Sequence, residues 1–444
     1  MQIILSNKIH LTGLSPNEST RIKTALTFAN PKFAEAQKFN RSTWNIDRNM
    51  QLFEQTDSDL VIPRGIALDR LGVTGSTVDN RHERPVKFET SIKPRPYQER
   101  VIRLARANDN GVIVAPTGSG KTTMGIELAS RLGQRCLILV KSKDLAKQWQ
   151  AAIKQFTGLD CGLIGGGKNT EGEQFTVGLV QTLVKLETAL DYGLVIVDEC
   201  HNIPADQAYK VINRQAAKYR YGLSATPQRR DNLEMMIHAA LGAVIAEVEP
   251  HEVVGSVLPV AVTARHYNFQ GNPESWSEFI NMLAADEVRN TMLIGSAIKS
   301  SRNVGTAVLT GTIAHAETLT SLAKEYGVNA LLLHGQLPAK LRAERMAAAP
   351  DTALIIGTLS LLSEGIDWPH VGAIIFAAPV SAEPHRENPA ATRLLQSIGR
   401  GRRPYPGKAK TVVLDIIDNC PFGKAAYRKR SEIYRLQGFS MRTV

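Results

Sequence analysis

Cysteine is scarce. Cys136, Cys161, Cys200 and Cys420 are the whole supply, and no two stand at C-x-x-C spacing. That excludes a disulfide framework and a zinc site, and it is the usage expected of a reducing cytosol. No repeat of about 20 to 50 residues recurs and no low-complexity tract is present, so solenoids, propellers and disordered chains are excluded. No apolar run approaches the roughly 20 residues that span a bilayer. The start, Met1-Gln-Ile-Ile-Leu5, lacks the basic segment and small-residue cleavage site of a secretory signal. The expectation is a soluble protein that stays in the compartment where it is made.

Acidic residues are also short, 42 Asp+Glu against 53 Lys+Arg, leaving a formal charge of +11. The excess suits a polyanion, although many soluble enzymes are moderately basic, so charge alone does not single out nucleic acid. It is unevenly spread. Residues 1–90 are close to balance, whereas the end of the chain carries Arg400, Arg402, Arg403, Lys408, Lys410, Lys424, Arg428, Lys429, Arg430, Arg435 and Arg442 against Asp415, Asp418 and Glu432.

What is present is α/β patterning. A length of 444 residues predicts two to four domains at roughly 100 to 200 residues each. Gly111–Ala115, Cys136–Val140, Thr176–Val180, Leu194–Val197 and Tyr221–Ser224 are uniformly apolar runs suited to a parallel sheet covered on both faces. Lys121–Leu132, closed by Gly133, and Lys143–Phe156 are patterned as helices between them. A second series begins near Val304: strands at Val304–Leu309, Ala330–Leu333, Ala353–Ile356, Ala373–Phe376 and Thr411–Leu414, and a helix at Ala314–Tyr326. The expected architecture is two tandem α/β domains with parallel sheets, residues 91–250 and 301–444. Residues 251–300 are expected to form a connector. Residues 1–90 are expected to form a separate small α+β domain, with a hairpin in Met1–Leu11, a helix at Glu18–Phe28 and a turn at Arg64-Gly65.

Ala115-Pro-Thr-Gly-Ser-Gly-Lys-Thr122 follows a strand and opens a helix. A triphosphate needs this arrangement: glycines let backbone N–H groups curl round the β-phosphate, the helix N-terminus adds partial positive charge, Lys121 reaches the β/γ oxygens and Thr122 coordinates Mg²⁺. Pro116, Thr117, Gly118, Ser119, Gly120, Lys121, Thr122 and Thr123 form the candidate phosphate loop. Further on, Leu194–Val197 ends in Asp198-Glu199-Cys200-His201. Asp198 can hold Mg²⁺ and Glu199 can polarise the attacking water, the two tasks of phosphoryl transfer. Carboxylates also cap strands without function, so the pair gains meaning from the loop before it. Ser224-Ala-Thr226-Pro places two hydroxyls at the end of another strand, where a plain turn would read the same. Gln396-Ser-Ile-Gly-Arg400-Gly-Arg402-Arg403 presents guanidiniums near a helix. Arg400 and Arg403 are candidate fingers for the charge of the transferred phosphoryl, and Arg402 is read as a solvated basic patch or nucleic-acid contact.

Taken together these segments resemble the motifs of superfamily 2 helicases over roughly residues 90 to 420. Arg95-Pro-Tyr97-Gln98 resembles the nucleotide-reading glutamine motif, residues 115–122 motif I, Asp198–His201 a DExH box, and Ser224–Thr226 motif III. Gly357-Thr358 through Glu364-Gly365-Ile-Asp367 resembles motif V and Gln396–Arg403 motif VI. The resemblance implies two RecA-like domains, ATP and Mg²⁺. It implies that Tyr97 and Gln98 meet adenine, Gln396 faces the γ-phosphate, and Gly365 and Asp367 line the cleft near the ribose. His201, Ser224 and Thr226 would couple hydrolysis to nucleic acid. Backbone-tracking contacts are implied for Lys141, Ser142, Gln181, Thr182, Thr310, Gly311 and Thr358.

Gln148-Trp149, the run from Leu223 to Asp231 and Glu364–Pro369 look most like the XPB and UvsW branch. Leu26–Pro31, Arg41–Trp44 and Ile62–Gly65 are similar to the leading domain of phage-encoded UvsW-type helicases that remodel branched DNA. A bacterial or phage-infected cytoplasm is the implied setting. The expected function is an ATP-dependent DNA helicase, favoured as a monomer, that unwinds or branch-migrates forks and four-way junctions. Arg41, Trp44 and Arg64 are candidate DNA contacts, with Trp44 equally readable as core. A double-strand translocase and an RNA helicase are the alternatives.

Overall fold

Uniformly apolar runs become the central strands of two parallel sheets, because a strand flanked by helices on both faces has no polar side to show. The structure, a computed structural model, describes residues 1–116, 118–186, 188–203, 205–225, 234–253, 257–359, 369–380 and 389–444. Thr117, Thr226, Gly365 and Asp367 lie outside the described residues, as does the side chain of Gln396. The chain divides into two compact units, Met1–Pro116 with Gly120–Glu249, and Pro250–Val444 with Thr117–Ser119. No helix among the described residues is long and apolar enough to cross a membrane.

The sheet of the first unit runs, in spatial order, Lys168–Thr170, Gly162–Gly165, Phe175–Leu179, Cys136–Val140, Leu194–Val197, Tyr219–Ser224, Asn110–Val114 and Val244–Glu247. Every neighbouring pair is parallel except the outermost, Lys168–Thr170 against Gly162–Gly165. Helices form where caps allow: Ser142 accepts from the Leu145 N–H to open Lys143–Thr157, and left-handed Gly133 closes Lys121–Leu132.

Residues 1–90 form a mixed sheet, ordered Glu54–Gln55, Asp59–Ile62, Ile9–Thr12, Gln2–Leu5 and Ser76–Asp79. The expected helix at Glu18–Phe28 is shorter, Pro16–Ala25. A capping box between Ser15 and Glu18 sets its start, and Thr27–Ala29 leaves it to pair antiparallel with Asn49–Gln51.

The expectation that residues 1–90 stand apart is corrected. Their core includes Ala239 and packs on Tyr209 and Met236 of the first unit. Arg64, expected as a DNA contact, is buried and donates to the carbonyls of Ala217 (2.6 Å), Lys218 (2.9 Å) and Ser6 (3.2 Å). Buried Arg220 in turn donates to the Asn7 carbonyl at 2.8 Å. Two guanidiniums thus tie the leading sheet to the large one.

The second sheet runs Leu331–Leu333, Leu354–Thr358, Gly305–Thr310, Val371–Phe376, Thr411–Asp418, Val260–Tyr267 and Ser440–Thr443, parallel throughout. The expected connector at 251–300 is therefore corrected as well. Val260–Tyr267 pairs along its whole length with Thr411–Asp418, and Leu293, Ile294 and Ala297 of helix Glu287–Ser301 belong to the core. Two cations of the basic C-terminal block, Lys408 and Arg430, are buried. Arg430 forms a buried pair with Asp415 at 2.9 Å, to which Tyr434 donates at 2.9 Å, and Lys408 donates to the carbonyls of Pro369, Val371 and Arg403.

Replacing Arg64 by Ala strands carbonyls that a charged donor now satisfies, and the loss is expected to be about 3 kcal/mol. Urea unfolding should report it, with DNA affinity of the folded fraction unchanged. Weakened DNA binding at full stability would restore Arg64 as a contact.

Candidate active site

Parallel strands end on one edge of their sheet, and the loops that follow them meet there. In the first unit that carboxyl edge collects Ala115-Pro116 after Asn110–Val114, Lys141-Ser142 after Cys136–Val140, Gln181 and Thr182 after Phe175–Leu179, and Asp198-Glu199 after Leu194–Val197. Ser224 closes its own strand on the same edge.

The phosphate loop is shaped by glycine. Gly118 and Gly120 have φ of 87° and 80°, and a Cβ on Gly120 would lie 2.6 Å from Nε2 of Gln98. Only glycine fits that conformation and contact. Buried Gln98 accepts the Arg95 N–H at 2.9 Å and so caps helix Pro96–Arg106 from within, with Tyr97 beside it on that helix. Thr122 and Thr123 occupy the first turn of Lys121–Leu132, facing the loop's end of the helix. The Lys121 ammonium donates to the Ala115 carbonyl at 3.1 Å and pairs with Glu199 at 3.3 Å.

Asp198 and Glu199 are adjacent carboxylates in a largely dry place. Burial pushes the Asp198 carboxyl up, and the Glu199 charge adds to the shift. Burial acts on Glu199 too, but Lys121 and His201 outweigh it and hold that carboxyl below its ordinary value. Glu199 adopts φ 46°, a left-handed conformation that costs a non-glycine residue about 1 to 3 kcal/mol and aims its side chain away from the strand direction. His201 lies 3.4 Å from Glu199, and its Nδ1 is 2.8 Å from the Ser224 hydroxyl. Lys121, Glu199, His201 and Ser224 thus form one continuous polar chain.

Trp149 was singled out in the sequence as part of a family-like pair and given no role. In the structure its Nε1 donates to Asp198 Oδ2 at 2.9 Å from a wholly buried ring. The ring fits because residue 125 is glycine, whose Cβ would meet Trp149 at 2.8 Å. Nothing in the spacing between 149 and 198 signals the bond, since helix Lys143–Thr157 brings it across the face of the sheet.

A raised carboxyl beside a second carboxylate, an ammonium and a glycine-cradled helix start is a donor set that fits a nucleoside triphosphate with a divalent cation. Among the described residues no group of three His, Cys, Asp or Glu converges.

Residues 91–229 match the family described as "Type III restriction enzyme, res subunit", and residues 289–404 match "Helicase conserved C-terminal domain". The chain belongs to the superfamily 2 helicases. It is an ATP-hydrolysing enzyme, and XPB proteins are among the helicases it is similar to. "Probable helicase D10" of Escherichia phage T5 is 24% identical over 387 residues, covering 85% of this chain and 83% of that protein. "DNA 3'-5' translocase XPB2" of Sulfurisphaera tokodaii is 29% identical over 172 residues, 38% of this chain and 39% of that one. Among solved structures, S. cerevisiae Dbp5 bound to RNA and ADP BeF3 superposes with a TM-score of 0.56 at 19% identity, covering 79% of this chain and 90% of Dbp5, a likeness of fold.

In this helicase the nucleic-acid candidates divide by exposure. The Gln181 amide donates to the Lys141 carbonyl at 2.9 Å, fixing two edge loops to each other. In the second unit, Gly311 is exposed at the carboxyl edge. Thr310 is buried, with its hydroxyl donating to the Thr312 carbonyl at 2.9 Å. Thr358 ends Leu354–Thr358 and is buried. Arg400 lies in helix Pro389–Gly401 and Arg403 just beyond it. Arg402, read as a solvated patch or nucleic-acid contact, is half-buried. Its Nε donates to the Leu258 carbonyl at 3.1 Å, the Leu258 N–H returns a bond at 2.7 Å, and its guanidinium lies over Phe439.

Trp149→Phe keeps an aromatic ring in the pocket, though a smaller one, and removes the indole N–H that bonds Asp198. Such bonds to charged groups contribute roughly 1.5 to 3 kcal/mol, so ATP turnover is expected to fall on the order of tenfold with nucleotide binding retained. Steady-state ATPase beside nucleotide titration checks this, and an unchanged turnover would end the positioning role.

Proposed function

We propose that this helicase works on DNA, translocating along it and unwinding or branch-migrating forked and four-way junctions in replication, recombination or repair. The observation that carries the reading is the fusion of the leading module to the ATP-binding domain, through a shared core and the Arg64 and Arg220 bonds. DNA held by that module would move with the domain that binds ATP. The relative named a DNA translocase supports the choice of DNA.

In the proposed cycle, Lys121 and the backbone of Gly118–Gly120 hold the β- and γ-phosphates, and Thr122 and Asp198 hold Mg²⁺. When bound, the cation neutralises charge on the phosphates. Glu199, kept ionised by Lys121 and His201, orients the attacking water and takes its proton. Tyr97 and Gln98 meet the base, and Gly365 and Asp367 the ribose side. Arg400 and Arg403 offset charge on the transferred phosphoryl, with Gln396 on the γ-phosphate. His201, Ser224 and Thr226 couple the state of the site to nucleic acid, which the edge residues Lys141, Ser142, Gln181 and Thr182 of the first unit and Thr310, Gly311 and Thr358 of the second would contact. These present amides, hydroxyls and a cation to a strand's phosphates, and such contacts track a backbone without reading sequence.

The name of the same relative, a translocase, keeps one second reading in play, movement on duplex without strand separation. Steady-state ATPase with single-stranded, duplex, forked and four-way DNA and with RNA, read beside strand separation, decides. Stimulation and unwinding should peak on forks or four-way junctions. Equal stimulation by plain duplex without unwinding selects the second reading, and preference for RNA discards DNA.

Lys121→Ala and Glu199→Gln are each expected to abolish turnover, with Glu199→Gln still binding ATP. Arg403→Ala should bind ATP and hydrolyse it about a thousandfold more slowly. Wild-type rates in any of the three, purified and folded, remove that residue's role.

A further inference from the structure

Between Thr27–Ala29 and its partner strand Asn49–Gln51 the leading module extends an arm, residues 30–48, that carries helix Pro31–Lys38 and two large exposed aromatics. Trp44 is 91% exposed and Phe39 57%. Tryptophan is the side chain with most to gain from burial, and a cavity of about 610 Å³ lies beside the arm's root, lined by Asn30, Arg48, Met50, Tyr209 and Met236. The ring does not fill it.

The neighbourhood of the aromatics is built. Asn40 takes φ 50°, and the Arg41 N–H closes the helix on the Ala36 carbonyl at 2.8 Å. That turn sets the Arg41 guanidinium over the Phe39 ring at 5.4 Å, with the Lys38 ammonium at 6.0 Å. Lys32, Lys38, Arg41 and Arg48 are exposed on the arm, against Glu35 and Asp47.

We propose that the arm is a stacking site for an unpaired DNA base, with Trp44 as the open face and with Lys38 and Arg41, which lie over the Phe39 ring of the same arm, on the flanking phosphates. An apolar protein partner would have to desolvate those cations, whereas a nucleic acid brings a π-face and negative charge together. Bases within a duplex show no free face, so the site selects the unpaired strand of a fork. The inference rests on the DNA reading above and adds a substrate feature to it.

The test uses the full chain and fluorescence anisotropy with single-stranded DNA, a fork, and a relaxed, covalently closed duplex circle. Trp44→Ala is expected to weaken binding to the single strand and the fork about tenfold, the scale of one base–aromatic stack, and to leave the closed duplex unchanged. Trp44→Phe should stay near wild type, and 2-aminopurine in the unpaired strand should be quenched by wild type and not by Trp44→Ala. With its side chain in solvent, Trp44→Ala should unfold at the wild-type temperature. Equal weakening on all three DNAs, no weakening on any, or Trp44→Phe as defective as Trp44→Ala overturns the stack while DNA stimulation of the wild type stands. A wild type indifferent to every DNA overturns the DNA reading and this inference with it.

Discussion

Two carboxylates side by side at the end of a buried strand are the constraint round which the first unit is arranged. Like charges this close and this dry are unstable unless cations and donors divide between them. Here the division is unequal. Lys121 and His201 outweigh burial at Glu199, while at Asp198 burial and the Glu199 charge prevail over the Trp149 bond and Lys121. Asp198 is therefore the carboxylate with most to gain from a divalent cation, and Glu199 is ionised without one. The same side chains that settle the electrostatics connect the site: Lys121 begins at the phosphate loop, and His201 ends on Ser224.

That arrangement follows from strand direction. Because the central strands are parallel, the loops after five of them open on one edge, and residues far apart in sequence come to share it. The second unit repeats the geometry with Thr310-Gly311 and Thr358. A parallel sheet thus supplies both a nucleotide loop and a row of backbone-directed donors without a dedicated subdomain for either.

The parts legible in the sequence were those with local causes. Cys136–Val140, Leu194–Val197 and helix Lys121–Leu132 have the bounds that their apolar runs and Gly133 imply, and the phosphate loop reads from its glycines. Long-range pairing was illegible. Val260–Tyr267 looks like connector until Thr411–Asp418, far along the chain, gives it a partner. The bond from Trp149 to Asp198 depends on how a helix crosses a sheet, and Arg64 could not be told from a surface arginine because carbonyls 217 and 218 are its partners.

The arginines show why charge counted along a sequence misleads about partners. Arg289 and Arg430 are spent on Asp418 and Asp415 inside the second unit, and Arg402 and Lys408 on backbone carbonyls. Burying such a pair is seldom worth much net stability, but removing one member leaves an uncompensated charge, so these residues act as locks on the arrangement they occupy. Arg64 and Arg220 lock the leading module onto the first sheet in the same way, with carbonyls as partners. Most of the chain's cations remain outside, and on the arm two of them, Lys38 and Arg41, lie over the Phe39 ring. Charge placed next to an aromatic face is more informative about a ligand than a count of basic residues at the end of the chain, where Lys408 and Arg430 are buried and committed to internal partners.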